Sequence, residues 1–210
     1  MIKKYWKMLV ITTLVTLLPM VAGVILWNQL PEQLPAHWNM AGEVDGWMGK
    51  GMFVFGTPLL MAALQWVMVV VTGSEPKRKN ISDKMMQLIL WLIPVLTVML
   101  TTIVYLIVMG TDVSVDIVTP VFMGLLFVII GNYLPKCKQS YTVGIKLPWT
   151  LNSEENWYKT HRFAGILWVI GGFLGMATAF VGGFVAFMVI MALMTVAPVV
   201  YSYVLYRKGI

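Results

Sequence analysis

Charge is missing from five long stretches of this chain. Met8–Pro31, Gly51–Ser74, Met85–Thr111, Ile117–Pro135 and Phe163–Tyr206 contain no Asp, Glu, Lys or Arg. Charged residues make up only 11% of the chain against 59% hydrophobic, and mean hydropathy is +0.81, which excludes an ordinary soluble globular domain. Cysteine is reduced to one, Cys137, so no disulfide or thiolate metal site can form within one chain. Histidine occurs twice, as His37 and His161, and no H-E-x-x-H pair exists. Internal repeats and low-complexity tracts are missing too. No ionisable residue stands in the middle of any charge-free stretch. That argues against proton- or sodium-coupled transport, which places one there, although broken helices also bind ions through carbonyls.

What is present is a membrane pattern. A spanning helix needs about 20 apolar residues. The first four stretches each supply one span. The fifth, as a single helix, would run to about 66 Å, twice the hydrocarbon thickness. It is expected to fold back at Gly182-Gly183. The expected fold is therefore an all-α membrane bundle of six transmembrane helices. Fourteen of the fifteen Lys and Arg residues fall on one side of it, and only Lys50 on the other. Basic loops stay cytoplasmic, which puts both termini inside, in a bacterial inner membrane. The N-terminus reads as an uncleaved anchor. The basic residues flank spans, so they read as topology signals and imply no direct nucleic-acid binding. Prolines 19, 58, 94, 120 and 198 are expected to bend their spans, and the stripe Gly171, Gly175, Ala179, Gly183 to pack against another helix.

Two polar segments face opposite compartments in this topology. The outer one, residues 30–51, has an extended entry at Pro31 and Pro35 and turns at Gly42, Gly46, Gly49 and Gly51. Its candidate binding residues are His37, Trp38, Asn39, Gly42, Glu43, Asp45 and Gly46. Three readings stand: a loop resting on headgroups, a docking surface for an extracellular ligand or peptide, and a catalytic or metal site on His37, Glu43 and Asp45. The spacing fits no zinc motif.

The inner segment, residues 131–165, has candidate binding residues Asn132, Gly144, Lys146, Pro148, Trp149, Thr150, Trp157, Thr160, His161 and Arg162. Gly144 and Pro148 bracket an extended Ile145-Lys146-Leu147. Asn152 with Glu155 resembles a capping box, so a helix is expected to start there and run into span five, aligning Trp157, His161, Gly165 and Trp168. This segment reads as an interfacial loop pinned by Trp149 and Trp157, as a docking site for a soluble partner, or, lacking an evident nucleophile or paired carboxylate, more remotely as a catalytic site. No catalytic residue, metal or cofactor is assigned.

The inner residues Gly131-Asn132, Gly144-Ile145-Lys146-Leu147-Pro148-Trp149-Thr150-Leu151, Trp157 and Thr160-His161-Arg162 with Gly165 resemble the SdpI family of bacterial membrane proteins, named for immunity to the sporulation-delay toxin. The outer residues Leu34-Pro35, His37-Trp38-Asn39, Gly42, Asp45-Gly46 and Lys50 are similar to a short uncharacterised domain that often precedes it. The organisation expected is an N-terminal helix pair, 1–74, and an SdpI-like four-helix region, 85–210, in one integral membrane unit. Two departures stand out: Lys146-Leu147 replaces the family's usual Arg-Thr, and Ser140 its common Asn. The resemblance implies a non-enzymatic protein conferring immunity against a secreted, membrane-active peptide toxin. It also implies signal transduction in which toxin engagement holds a soluble ArsR-like repressor at the membrane. The lipid bilayer, that toxin and that repressor are the partners expected. The alternative is a membrane enzyme or small-molecule transporter using His37 and Asp45.

Overall fold

The computed structural model describes residues 2–39, 42–181 and 184–210. The chain is mostly helical: α1 (Ile2–Ile25), a β-hairpin of β1 (Gln33–Trp38) and β2 (Val44–Gly49), a π-helical turn (Met52–Gly56) leading into α2 (Thr57–Ser74), then α3 (Asp83–Val108), α4 (Val115–Tyr133), a short α5 (Pro148–Asn152), α6 (Glu154–Thr178) and α7 (Phe184–Arg207). Five helical stretches are long and apolar enough to cross a membrane: Lys3–Ile25, Met52–Ser74, Asp83–Val108, Val115–Lys136 and Val185–Arg207. α6 is not one of them, because its first turns carry Glu154, Glu155, Lys159 and Arg162 ahead of the apolar run. The expected turn at Gly182-Gly183 lies outside the described residues.

The chain divides into two compact units, Met1–Gly73 with Met86–Val115 and Ser74–Met85 with Asp116–Ile210. In the first unit, α1 is inside out by the standards of a soluble helix. Ile11, Leu14, Leu18, Val21 and Ile25 are exposed, whereas Thr12 and Thr16 are fully buried. Apolar side chains gain nothing by hiding from lipid, so the buried seam goes to groups that bond one another. Gln65, also fully buried, donates to Thr12 Oγ1 at 2.6 Å and to the Leu90 carbonyl at 3.3 Å, and accepts from Thr16 Oγ1 at 3.1 Å. One carboxamide thus ties α1, α2 and α3. A cluster of Leu30, Leu34, Phe53, Val54, Val104 and Tyr105 closes the unit near the hairpin.

In the second unit, α4 and α6 meet along glycines. A Cβ on Gly124 would stand 2.5 Å from the Gly172 carbonyl, and one on Gly165 would stand 2.8 Å from that of Gly131. The stripe expected on α6 packs as read where it is described: Gly171 faces Met194 and Gly175 faces Phe187, both on α7. Because the obstructing atoms at Gly124 and Gly172 are backbone, no rotamer change relieves an added methyl. Gly172→Ala is expected to force the helices apart at a cost of about 1–3 kcal/mol. A lowered thermal midpoint in detergent checks this, with Gly51→Ala, which meets open space, as the near-neutral control.

Candidate functional site

The outer segment is not the loop that its glycines and prolines suggest. β1 and β2 pair antiparallel with Leu34 opposite Met48, Pro35 opposite Trp47, His37 opposite Gly46 and Trp38 opposite Val44, with irregularities on either side of His37. Gly46 is therefore a strand residue rather than a turn. It is glycine because a Cβ there would stand 2.8 Å from the His37 Cβ. The bulged register aims His37 Nδ1 at Asp45 Oδ1, 2.5 Å away, with the His37 side chain 71% exposed. Towards the tip, Asn39 Oδ1 accepts from the Glu43 N–H at 3.0 Å and Asn39 Nδ2 donates to Glu43 Oε2 at 3.2 Å, beside Gly42 at φ +78°. Trp47 is exposed and Trp38 half-buried.

Lys50 fixes the base of the hairpin. Its ammonium donates to Glu32 Oε1 at 2.8 Å and to the Leu30 carbonyl at 3.2 Å, and lies 5.0 Å from the centre of the Trp27 ring. It thus satisfies a carbonyl of the turn that joins α1 to β1. Within this set, the hairpin brings together an imidazole, two carboxylates and two indoles on an exposed ribbon. No group of three or more His, Cys, Asp or Glu residues suited to a metal occurs among the described residues.

The second polar segment is built on α6. Its N-cap is Ser153, whose hydroxyl accepts from the Asn156 N–H at 3.2 Å. The cap lies one residue past the expected Asn152, which is already the last residue of α5. The helix does run on as expected, and it presents Trp157 and His161 inward. His161 Nδ1–H donates to the Trp157 carbonyl at 2.8 Å, and its Nε2 accepts from the Ile145 N–H at 2.8 Å, which fixes the neutral tautomer. Burial pushes the imidazole down to about 4, the backbone bond working against the shift. The ring stacks on Trp157 at 4.0 Å. Trp157 is 2% exposed, so it is no headgroup anchor; its Nε1–H donates to the Cys137 carbonyl at 2.8 Å.

Gly144, at φ +108°, lies directly over both rings. The extended Ile145–Leu147 stretch follows, and Thr150 ties it to α5 by accepting from the Leu147 N–H at 2.8 Å and bonding the Ile145 carbonyl at 2.9 Å. Pro148 opens α5 at its first position. Trp149 stacks on Tyr206 of α7 at 5.7 Å. Thr160 donates to Asn156 Oδ1 at 3.1 Å, which also receives Ser202 Oγ at 2.6 Å. Lys146 donates to the Thr142 carbonyl at 3.0 Å, a contact that does not require a guanidinium fork. Asn132 and Arg162 are exposed and stand apart from this network.

Several participants were not foreseen. Glu75, Lys77 and Asn80, from the α2–α3 connector, and Gln139 wall the segment on its other side. Glu75 accepts from Ser140, Tyr141 and Thr142; Lys77 donates to Gln139 Oε1; Asn80 donates to the Gln139 carbonyl at 2.8 Å. Gln139 Nε2 in turn donates to the Thr150 and Leu151 carbonyls, each at 2.8 Å. A signal for Glu75 existed: it is the one acidic residue in a connector that otherwise carries Lys77, Arg78 and Lys79.

A multi-pass helical membrane protein with two separately built polar surfaces, an exposed hairpin and a closed hydrogen-bonded loop, is the class defined here. Residues 136–202 match the SdpI/YfhL protein family, and residues 14–62 match a domain of unknown function, DUF1648. The chain is thus similar to the SdpI/YfhL family in its C-terminal part and to that domain in its N-terminal part. It is 24% identical over 206 residues to the immunity protein SdpI of Bacillus subtilis strain 168, covering 95% of this chain and 96% of the relative. No solved structure matches it.

Proposed function

We propose that this protein confers immunity against a secreted, membrane-active peptide toxin. The observation that carries the reading is the likeness to an immunity protein along nearly the whole of both chains, spanning the hairpin as well as the loop. In this reading α6, from Phe163 onward, is the fifth of six spans, and both termini lie in the cytoplasm of a bacterial cell. The hairpin bearing His37, Trp38, Asn39, Gly42, Glu43, Asp45 and Gly46 then faces outward and meets the toxin. The segment bearing Gly144, Lys146, Thr150, Trp157 and His161, with Arg162 and Lys146 exposed on it, faces inward and holds a soluble ArsR-like repressor. Toxin shifts the protein only through a difference in affinity for two conformations. An enzyme or transporter at His37 and Asp45 has nothing in its favour beyond that pair.

Toxin challenge of sensitive cells expressing the protein tests this. Survival is expected with the intact chain, and loss of survival at equal membrane level with His37→Ala/Asp45→Ala or with Lys50→Met, which unpins the hairpin. Arg162→Ala is expected to impair repressor retention while sparing protection. Unchanged sensitivity with and without the protein, across membrane-active peptide toxins, would sink the reading. Labelling of Asp45→Cys from outside and Lys208→Cys only from inside, in a Cys137→Ser background, tests the orientation.

A further inference from the structure

Glu75 lies between the two family-matched regions and belongs to neither. Its carboxylate is buried, with the residue 4% exposed. An ionised carboxylate persists out of water only where donors replace the lost hydration. Here the donors come from three consecutive residues. Ser140 Oγ lies 2.8 and 3.0 Å from the two carboxylate oxygens, and the Tyr141 N–H and Thr142 Oγ1 approach at 2.9 and 3.0 Å. The Ser140 hydroxyl is itself oriented. It accepts the N–H groups of Thr142 at 3.2 Å and Val143 at 3.1 Å, which turns its one hydrogen toward Glu75. Two hydroxyls and one backbone N–H thus converge on the oxyanion, and in this chain the anion is a side chain of its own. The same loop continues two residues later into Gly144 and Ile145, which rest on Trp157 and His161.

We propose that Ser140, Tyr141 and Thr142 form a carboxylate-binding cradle whose resident ligand is Glu75, and that Glu75 is the positioning residue holding the 137–147 segment closed on α6. The donor set fixes the ligand class. A carboxamide would turn an NH2 group against donors that need an acceptor, and an alkyl group would leave all of them unpaired. This deepens the proposed function and rests on it for one meaning only: if the segment is the inward contact surface, one carboxylate controls whether that surface is presented or withdrawn.

Cys137, the chain's single cysteine, opens this segment and reports its state. Burial pushes its thiol up to about 11, so in the closed segment almost no thiolate is available to an alkylating reagent. The experiment is the alkylation rate of Cys137 by a soluble maleimide, on the purified full chain in lipid nanodiscs, with no toxin or repressor present. The intact protein should react slowly. Glu75→Gln and Glu75→Ala should react at least about tenfold faster, since an opened segment restores an ordinary thiol. Sodium acetate, which replaces the missing carboxylate, should slow Glu75→Ala toward the intact rate, whereas sodium chloride or acetamide should not. Thr142→Val, which keeps the shape and removes one donor, should give a smaller acceleration and keeps the test open if the Glu75 variants fail to fold. An unaltered rate in Glu75→Gln or Thr142→Val, or an acceleration that acetate leaves untouched, overturns the proposal. A failed toxin challenge alongside the expected labelling pattern would remove the immunity reading and leave the cradle standing.

Discussion

Gly144→Ala is expected to take the second polar segment apart and to abolish its function while leaving the hairpin unit folded. Two penalties coincide at this position. Its φ of +108° is one that L residues rarely adopt, and holding a non-glycine residue in such a region costs about 1–3 kcal/mol. The added Cβ would also stand 2.5 Å from His161 Nε2 and 2.8 Å from the Trp157 ring. Neither neighbour can yield cheaply. The imidazole is held at both nitrogens, by Ile145 and by the Trp157 carbonyl, and the indole by the Cys137 carbonyl. Overpacking against such fixed groups adds about 1–3 kcal/mol, for a total of roughly 4 kcal/mol. Limited proteolysis in detergent should cut within the 137–147 segment of the variant and spare the intact chain. Gly42→Ala separates the two terms: φ is +78° there but the added methyl meets open space, so only the backbone cost remains. Equal stability of the intact protein and Gly144→Ala would mean that the loop does not lie on those rings.

The helices were legible because charge is costly in hydrocarbon, so its absence marks the spans. The stretch Met85–Thr111 became α3 (Asp83–Val108) and Ile117–Pro135 became α4 (Val115–Tyr133). The signal is less clean in α6, where the apolar run from Phe163 is preceded in the same helix by four charged residues. The hairpin was hidden by composition. Pro35 and the run of glycines argue against a strand, yet a two-stranded ribbon consists of edges only and tolerates both. Gln65, Thr12 and Thr16 were invisible because uncharged polar residues do not interrupt a charge-free stretch. In the second segment, Trp157 and His161 were legible as neighbours on one helix face and Gly144 as one end of an extended stretch, but not that the glycine lies over the two rings. Nor was the carboxylate that binds the residues just before Gly144. Glu75 reaches its donors across 65 to 67 residues of sequence, and no local pattern encodes such a contact. Pro58 was read as a bend in span two, and it directly follows the π-helical turn Met52–Gly56 inside the continuous helical stretch Met52–Ser74, a local departure from α-helical bonding beside a residue with no N–H.

Acid should loosen this site over a defined range, and the sign follows from His161. In the closed site the imidazole is neutral, because its Nε2 must accept from Ile145 and burial disfavours the charged ring. An exposed imidazole titrates near 6.5, the buried one near 4. Between those values only the opened site takes up the proton, so stability is complete above pH 6.5, falls steadily as pH drops towards 4, and levels off below it. The gap corresponds to about 3 kcal/mol at the acid end. Protonation also removes the lone pair that receives the Ile145 N–H and sets two donors face to face, so the loop over α6 is the part released. Thermal unfolding of the detergent-solubilised protein from pH 7.5 to 4 should show this decline. His161→Gln should start lower at pH 7.5, because the carboxamide packs poorly against Trp157. Its profile should be flatter, because it keeps an acceptor for Ile145 and has nothing to titrate. Parallel profiles for the two proteins would assign the acid response to other groups and strip His161 of its part in it.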